Sequence, residues 1–449
     1  MFPARPGLPI LAAYAVPGLP LAVLTLPVFI YLPTFYGSEL GLGLAATGAI
    51  LLLARLFDVV TDPLTGHWCD RIGLRAGRRR VWMLAATPLV ALAAWQLFLP
   101  PEGAGLGHLL AWTLLLYLGW TALWLPYQAW GAELSGDYHQ RSRIAGARET
   151  LVLAGTCLAA AMPALAAWLG QAEGASLARP LAWAGWLVIC LLPPAVLLAA
   201  LVVPEPPPLS SHPAGFRQGL RLMRRNGPFL RLLGAYLANG TANGLAATLF
   251  LLFVEHRLAA PEYSGALLLA YFLAGILSVP AWLAVSRHLG KHRAWALGMA
   301  LACLGFLAVP LLGPGDIVAF LLVCIATGLC LGADLALPGA IQADVVDLDT
   351  LRGGGQRTGA YFAAWSMATK LALAIAVGLA FPLLELAGFD PAADTGGDGL
   401  LALALLYGLL PIPIKITAIA LVWRFPLDQA RQARLRRIIL RRAAGADSR

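Results

Sequence analysis

The sequence predicts an all-α integral membrane protein: twelve transmembrane helices arranged as two pseudo-symmetric six-helix bundles. Three observations carry this. Of 449 residues, 59% are hydrophobic and only 12% charged, about half the charge of a soluble domain. Apolar stretches long enough to cross a bilayer, about 20 residues each, recur along the whole chain. Two loop patterns of the first half return in the second. The composition excludes a soluble enzyme, a disulfide-built secreted module and a disordered chain.

The predicted spans fall at 8–36, 43–66, 82–101, 107–131, 146–169 and 180–203, then at 229–254, 263–285, 294–313, 316–343, 358–387 and 399–423. Residues 1–203 form the N-terminal bundle and 229–423 the C-terminal bundle. The connection 204–228, rich first in proline and then in arginine, separates them. Residues 424–449 are a basic tail. The N-terminus carries Arg5 and then a long apolar run without the short core and cleavage site of a signal peptide, so it is read as a retained first helix. The six cysteines stand singly, five of them inside apolar runs, with no metal or disulfide spacing.

Arginine sets the topology. Arg71, Arg75 and Arg78–Arg80 follow span 2, Arg141 and Arg143 follow span 4, and Arg217, Arg221, Arg224 and Arg225 lie in the central connection. Arg287, Lys291 and Arg293 follow span 8, Arg352 and Arg357 follow span 10, and eight arginines lie in the tail. The odd-numbered connections are acidic or nearly neutral. Both termini are therefore expected in the cytoplasm, and the +9 net charge is a topological signal. The tail suits anionic lipid, with no nucleic-acid partner expected.

The halves echo one another. Asp70-Arg71-Ile72-Gly73 with Arg78–Arg80 after span 2 corresponds to Ser286-Arg287-His288-Leu289-Gly290-Lys291 after span 8. Leu125-Pro126 followed by Glu133, Asp137, Arg143 and Gly146 corresponds to Leu337-Pro338 followed by Asp344, Asp349, Arg357 and Gly359. Two parallel six-helix halves are the architecture of rocker-type secondary transporters, whose site lies near the midplane.

Charge within the spans marks the candidate chemistry. Asp58 and Asp62 are four apart, so both carboxylates leave one helical face, with Arg55 on the same stripe. An ionisable group at mid-membrane costs about 2.5–3.5 kcal/mol even on the lenient insertion scale. Two carboxylates need a cation, a proton or a salt bridge to persist there. Thr61 lies beside the pair. Tyr117, Thr121, Trp124 and Gln128 form one face of span 4. The chain has three lysines against 29 arginines; Lys370 falls near mid-depth of span 11, with Ser366 one turn before it. Lys415 falls closer to the end of span 12, where it can snorkel, and is given no role. Asn239, Thr241 and Asn243 lie on span 7, the two asparagines on one face.

Gly66-x-x-x-Asp70-Arg71-x-Gly73 with Arg75 and Arg78–Arg80 resembles the signature loop of the major facilitator superfamily. Arg55-Leu-Phe-Asp58-Val-Val-Thr61-Asp62-Pro63 resembles the glycoside–pentoside–hexuronide:cation symporter family, the family of the melibiose carriers. Pro126-Tyr127, Arg148 with Gly155, and Gln356-Arg357-Thr358-Gly359 leading to Lys370 extend the likeness over nearly the whole chain. The resemblance implies the major facilitator fold, with Asp58, Asp62 and Thr121, beside Thr61, binding the coupling Na⁺ or H⁺. It implies coupling through Lys370 and a substrate contact from Arg148. The residues themselves add Arg55 to the coupling and Trp124, Gln128, Tyr127, Asn239, Asn243 and Ser366 to the expected substrate contacts, with helix–helix hydrogen bonding as the alternative for the two asparagines. Asp70, Arg71, Glu133, Arg141, Asp344 and Arg357 are the expected cytoplasmic gate. Arg148 has two candidate partners, Glu133 and Glu149.

The sequence departs from the family where sugar is gripped: Pro17-Gly18-Leu19-Pro20 and Trp124 stand where sugar carriers have acidic residues. The expected function is a cation-coupled symporter of a small solute, a sugar or glycoside by resemblance, working by alternating access. The alternative is a lysolipid or amphiphile carrier that keeps the cation site. No nucleophile–base set or metal cluster marks an enzyme, and no cofactor is expected beyond the coupling ion. A monomer in a bacterial inner membrane, in contact with lipid, completes the expectation.

Overall fold

The computed structural model describes residues 6–71, 77–168, 177–205, 216–353, 357–389 and 397–446. Gly73, Arg75, Glu173, Gln356, Asp390 and Asp394 lie outside them. Eleven stretches among the described residues are long and apolar enough to cross a membrane. The remaining predicted span is the helix Leu44–Arg71, 28 residues long, which at 1.5 Å per residue extends about 42 Å. Its middle carries Arg55, Asp58 and Asp62, the charges that set it apart from its neighbours.

The chain forms two compact units, Met1–Gly219 with Thr350–Ala364 and Ile439–Arg449, and Leu220–Asp349 with Trp365–Ile438. In the first unit, span 2 (Leu44–Arg71) and span 3 (Arg79–Phe98) both pack on span 4 (Leu106–Glu133). Span 1 packs on span 5 (Tyr138–Trp168), and span 3 on span 6 (Ala178–Val202). The second unit repeats this pairing. Span 8 (Ser264–Leu289) and span 9 (Lys291–Leu307) pack on span 10 (Ile317–Ala336), and span 9 also packs on span 12, whose second half is Pro411–Trp423. Span 10 continues after Leu337 as the helix Pro338–Gly353. The sequence echo is thus a structural repeat. The turn between spans 8 and 9 is a single residue, Gly290, at φ +81°, a conformation glycine adopts without a Cβ penalty.

Span 1 is not one helix. Leu8–Ala15 ends and Gly18–Leu26 begins around Pro17, which has no N–H to donate. The carbonyls of Tyr14 and Ala15 at this break accept instead from the hydroxyl of Tyr127, at 2.7 and 3.2 Å. Tyr14 returns its own hydroxyl to the Tyr127 carbonyl at 3.2 Å. Helices in lipid approach closely through small residues, and both units do so. A Cβ on Gly18 would lie 3.2 Å from the Arg148 carbonyl oxygen, and one on Gly244 of span 7 (Gly227–Leu252) 2.8 Å from Ala376 of span 11 (Thr358–Leu386). A Cβ on Gly155 would be driven into the Leu19 carbonyl and within 2.9 Å of Ala22. Gly155→Ala is therefore expected to cost about 1–3 kcal/mol through overpacking, read as a lower thermal unfolding midpoint in detergent, whereas Gly107→Ala, which has open space, leaves the midpoint unchanged.

Candidate functional site

The predicted cation ligands meet. The Thr121 hydroxyl lies 2.9 Å from an Asp58 carboxylate oxygen and 2.9 Å from one of Asp62. Both aspartates and the threonine are buried, at 3%, 1% and 2% exposure. The four-residue spacing on span 2 delivers both carboxylates to one side, and the packing of span 4 against span 2 delivers the hydroxyl. A hydroxyl has one proton to share between the two carboxylates, and three oxygens converge here. That arrangement accepts a proton or a hard monovalent cation. Thr61 is buried beside them, but its hydroxyl donates to the Asp58 carbonyl at 3.1 Å, one turn back along its own helix. Tyr117 has Arg55 and Asp58 as charged neighbours; Arg55 itself is exposed.

Flanking Thr121, span 4 presents aromatics. Trp120 and Trp124 stack at 5.6 Å, Trp124 meets Tyr127 edge-on at 5.8 Å, and the Arg148 guanidinium lies 5.8 Å over the Trp124 ring. Of its two candidate partners Arg148 takes Glu149, at 2.6 and 3.0 Å. Gln128 is buried, and its carbonyl oxygen has no partner among the described residues. Tyr127, expected to face the solute, gives its hydroxyl to span 1.

Asp70 and Glu133 of the expected gate meet on Arg79, which belongs to the basic run after span 2 and is not one of the expected gate residues. Arg79 is fully buried. Its Nη2 donates to Asp70 at 2.8 Å and Glu133 at 2.7 Å, its Nε to Glu133 at 3.2 Å, and its Nη1 to the Cys69 carbonyl at 2.9 Å. Arg78 adds a 2.9 Å bond to Glu133. Asp70 accepts in addition from the backbone N–H groups of Gly359 and Ala360, at 2.8 and 3.0 Å. It thereby caps the start of span 11, where a carboxylate is favoured by the orphan donors and the helix dipole. Close approach makes this reach possible: a Cβ on Gly66 would lie 2.8 Å from the Gly359 carbonyl oxygen. Glu205 does the same for span 3, accepting from the backbone of Arg78, Arg79 and Arg80.

Arg71 is exposed, and Arg141 donates to the Ser135 carbonyl at 3.0 Å; neither is the arginine that joins Asp70 to Glu133. Arg357 is buried in the first unit. In the second unit Asp344 pairs with Lys291 at 2.5 Å. Lys291–Asp344 and Arg79–Glu133 occupy matching positions of the repeat, so each unit ties the foot of its third helix to the foot of its fourth. The tail begins as a helix, Gln429–Ala446, whose Gln432 and Arg436 reach Asp347 at 3.4 and 3.3 Å.

The remaining predicted residues lie in the second unit. Lys370 and Ser366 are half-buried on span 11, next to Trp365, which stacks on Tyr236 at 3.7 Å. Asn239 and Asn243 both donate to Asp334, at 3.0 Å each, and both accept from Lys415, at 2.7 Å each. Lys415 is thus corrected: it does not snorkel but is buried at 2% exposure. Snorkelling fails because two amide carbonyls on the facing helix satisfy the ammonium where it stands.

A multi-pass helical membrane protein with a repeated helix pairing, a buried carboxylate pair in span 2 and an Arg79–Asp70–Glu133 cluster at the end of that span has the build of a secondary transporter. Residues 13–429 match the MFS/sugar transport protein family, and the chain belongs to that family of the major facilitator superfamily. Its relatives include the human sodium-dependent lysophosphatidylcholine symporter 1, 26% identical over 89% of this chain and 79% of the relative. A sphingosine-1-phosphate transporter of Xenopus tropicalis is 25% identical over 85% and 80%, and a Synechocystis symporter 24% identical over 89% and 90%. These relatives are transporters, and those with a named solute carry lysolipids rather than melibiose. Among solved structures, the fucose transporter FucP in its outward conformation superposes with a TM-score of 0.61 at 14% identity, over 91% of this chain and 97% of that one. A bacterial homologue of ferroportin gives 0.62 at 13% identity, over 93% and 98%. Both share the fold.

Proposed function

We propose that the protein is a sodium-coupled symporter of lysolipids, working by alternating access. The observation that carries the coupling half is the buried Asp58–Thr121–Asp62 oxygen cluster on spans 2 and 4. Sodium bound there neutralises span 2, and Lys370, with Arg55, responds to that change of charge. The chemistry of the solute side supports a lysolipid. Trp124 and the Pro17-Gly18-Leu19-Pro20 segment stand where sugar carriers have carboxylates, and carboxylates are what grip sugar hydroxyls. Trp120 and Trp124 offer a flat apolar surface, Arg148 a cation for a phosphate, and Gln128 a buried acceptor. Relatives named for lysophosphatidylcholine and sphingosine-1-phosphate point the same way. The arginines of the even-numbered connections support a reading with both termini in the cytoplasm of a bacterial inner membrane, and the proposed working unit is a single chain.

Thermal unfolding of the purified protein tests the solute. In sodium buffer, lysophosphatidylcholine below its micellar concentration raises the midpoint, melibiose leaves it unchanged, and the lysolipid response weakens when choline replaces sodium. A response to melibiose with none to lysolipid would return the assignment to sugar.

A further inference from the structure

The second unit holds a buried lysine, Lys415, and a half-buried aspartate, Asp334, that are joined only through two asparagines. Span 7 places Asn239 and Asn243 four residues apart, on one face of its helix. On one side of them stands Asp334 of span 10, and on the other Lys415 of span 12. Each amide is bonded at both ends: the carbonyl oxygens accept from Lys415 at 2.7 Å, and the amide nitrogens donate to the two oxygens of Asp334 at 3.0 Å. The chemistry fixes the amide orientation, because only a carbonyl can face an ammonium and only an NH₂ can face a carboxylate. Trp295 of span 9 adds an N–H bond of 2.5 Å to Asp334. Three donors thus converge on the Asp334 carboxylate, and two carbonyl oxygens converge on the Lys415 amino group.

This pattern is that of a monovalent-cation site. Amide carbonyls that replace a hydration shell, backed by a carboxylate that supplies the counter-charge, are how proteins hold small cations. In this chain the position is filled by a side chain. Lysine suits it and arginine does not, since an ammonium is a compact point charge whereas a guanidinium is a planar fork; one of only three lysines in an arginine-rich chain stands here. We propose that Lys415 is a tethered cation, occupying a carboxylate–amide cation site formed by Asp334, Asn239 and Asn243. The C-terminal bundle then carries its positive charge within its own chain, and the exchangeable ion of the transport cycle is confined to the N-terminal bundle.

Chemical rescue tests this on the full-length protein in detergent, with sodium held constant and saturating. Lys415→Ala lowers the unfolding midpoint, and n-propylammonium restores it by entering the vacated position, whereas N-methylglucamine at equal ionic strength does not. Asp334→Asn with Lys415→Met, which removes both charges, is more stable than Asp334→Asn alone and gives no response to propylammonium. Lys415→Arg, with the charge but not the shape, stays destabilised. A Lys415→Ala protein that folds but ignores propylammonium overturns the proposal. Should that variant not fold, a double variant no more stable than Asp334→Asn alone overturns it equally.

Discussion

Replacing Asp58 or Asp62 by asparagine sharply reduces sodium-driven accumulation of solute, and replacing both abolishes it. Asparagine keeps the volume and one carbonyl oxygen, so the helix packing survives while one of two negative charges is lost. A hydrogen bond or ligand contact to a charged group contributes about 1.5–3 kcal/mol, which at 1.4 kcal/mol per decade weakens the cation about 10- to 100-fold. Thr121→Val, which removes a neutral hydroxyl at nearly constant volume, is milder, at most about tenfold. The check is the sodium concentration that gives half the maximal thermal stabilisation: it rises steeply in both aspartate variants and modestly in the threonine variant. With both aspartates replaced, the midpoint no longer responds to sodium. A double variant with an undiminished sodium response removes the site from the account.

The second large effect lies at Arg79. This side chain is fully buried and joins Asp70 to Glu133. Arg79→Ala leaves two buried carboxylates without their shared guanidinium, and breaking a buried pair from one side costs about 3–5 kcal/mol. The loss propagates, because Asp70 also caps the first turn of span 11 and Glu133 ends span 4. Arg79→Ala is expected to fall sharply in folded yield and unfolding midpoint. Arg79→Lys falls less, since one ammonium can serve a carboxylate but cannot reproduce the fork that reaches both. Arg71→Ala, at an exposed position, changes the midpoint little. If Arg71→Ala were the more damaging of the two, the centre of this cluster would be misassigned.

These two sites differ in how far the sequence revealed them. Asp58 and Asp62 were legible because charge within an apolar run is rare and helical spacing states which residues share a face; Thr121, uncharged and on another helix, came only from the resemblance to the cation symporters. The spans and the repeat were legible for the same reason: lipid imposes a coarse pattern that composition records directly. Asp70 and Glu133 were visible as acids at helix ends. Their arginine was not, because Arg78, Arg79 and Arg80 are equivalent as a sequence signal and only the angle at which span 3 begins selects one. Glu205 was hidden in a proline-rich connection, where nothing local shows that its carboxylate folds back onto the start of span 3. Lys415 was misjudged because depth along one helix was weighed without the partner opposite. Asn239 and Asn243, read as solute contacts, carry the answer, but only a structure shows that one face of span 7 meets both span 10 and span 12. Tyr127 follows the same rule: its place in span 4 was clear, while the broken span 1 that claims its hydroxyl was legible only as prolines.

The central claim is that an ion held by Asp58, Asp62 and Thr121 drives a lysolipid across the membrane. Uptake of labelled lysophosphatidylcholine into proteoliposomes, under an inward sodium gradient or an inward proton gradient, tests it most directly. The account predicts accumulation above equilibrium under the sodium gradient, none under the proton gradient alone, and collapse of the sodium-driven component in Asp58→Asn with Asp62→Asn. Uptake that ignores both gradients, or that proceeds undiminished in the double variant, would contradict it.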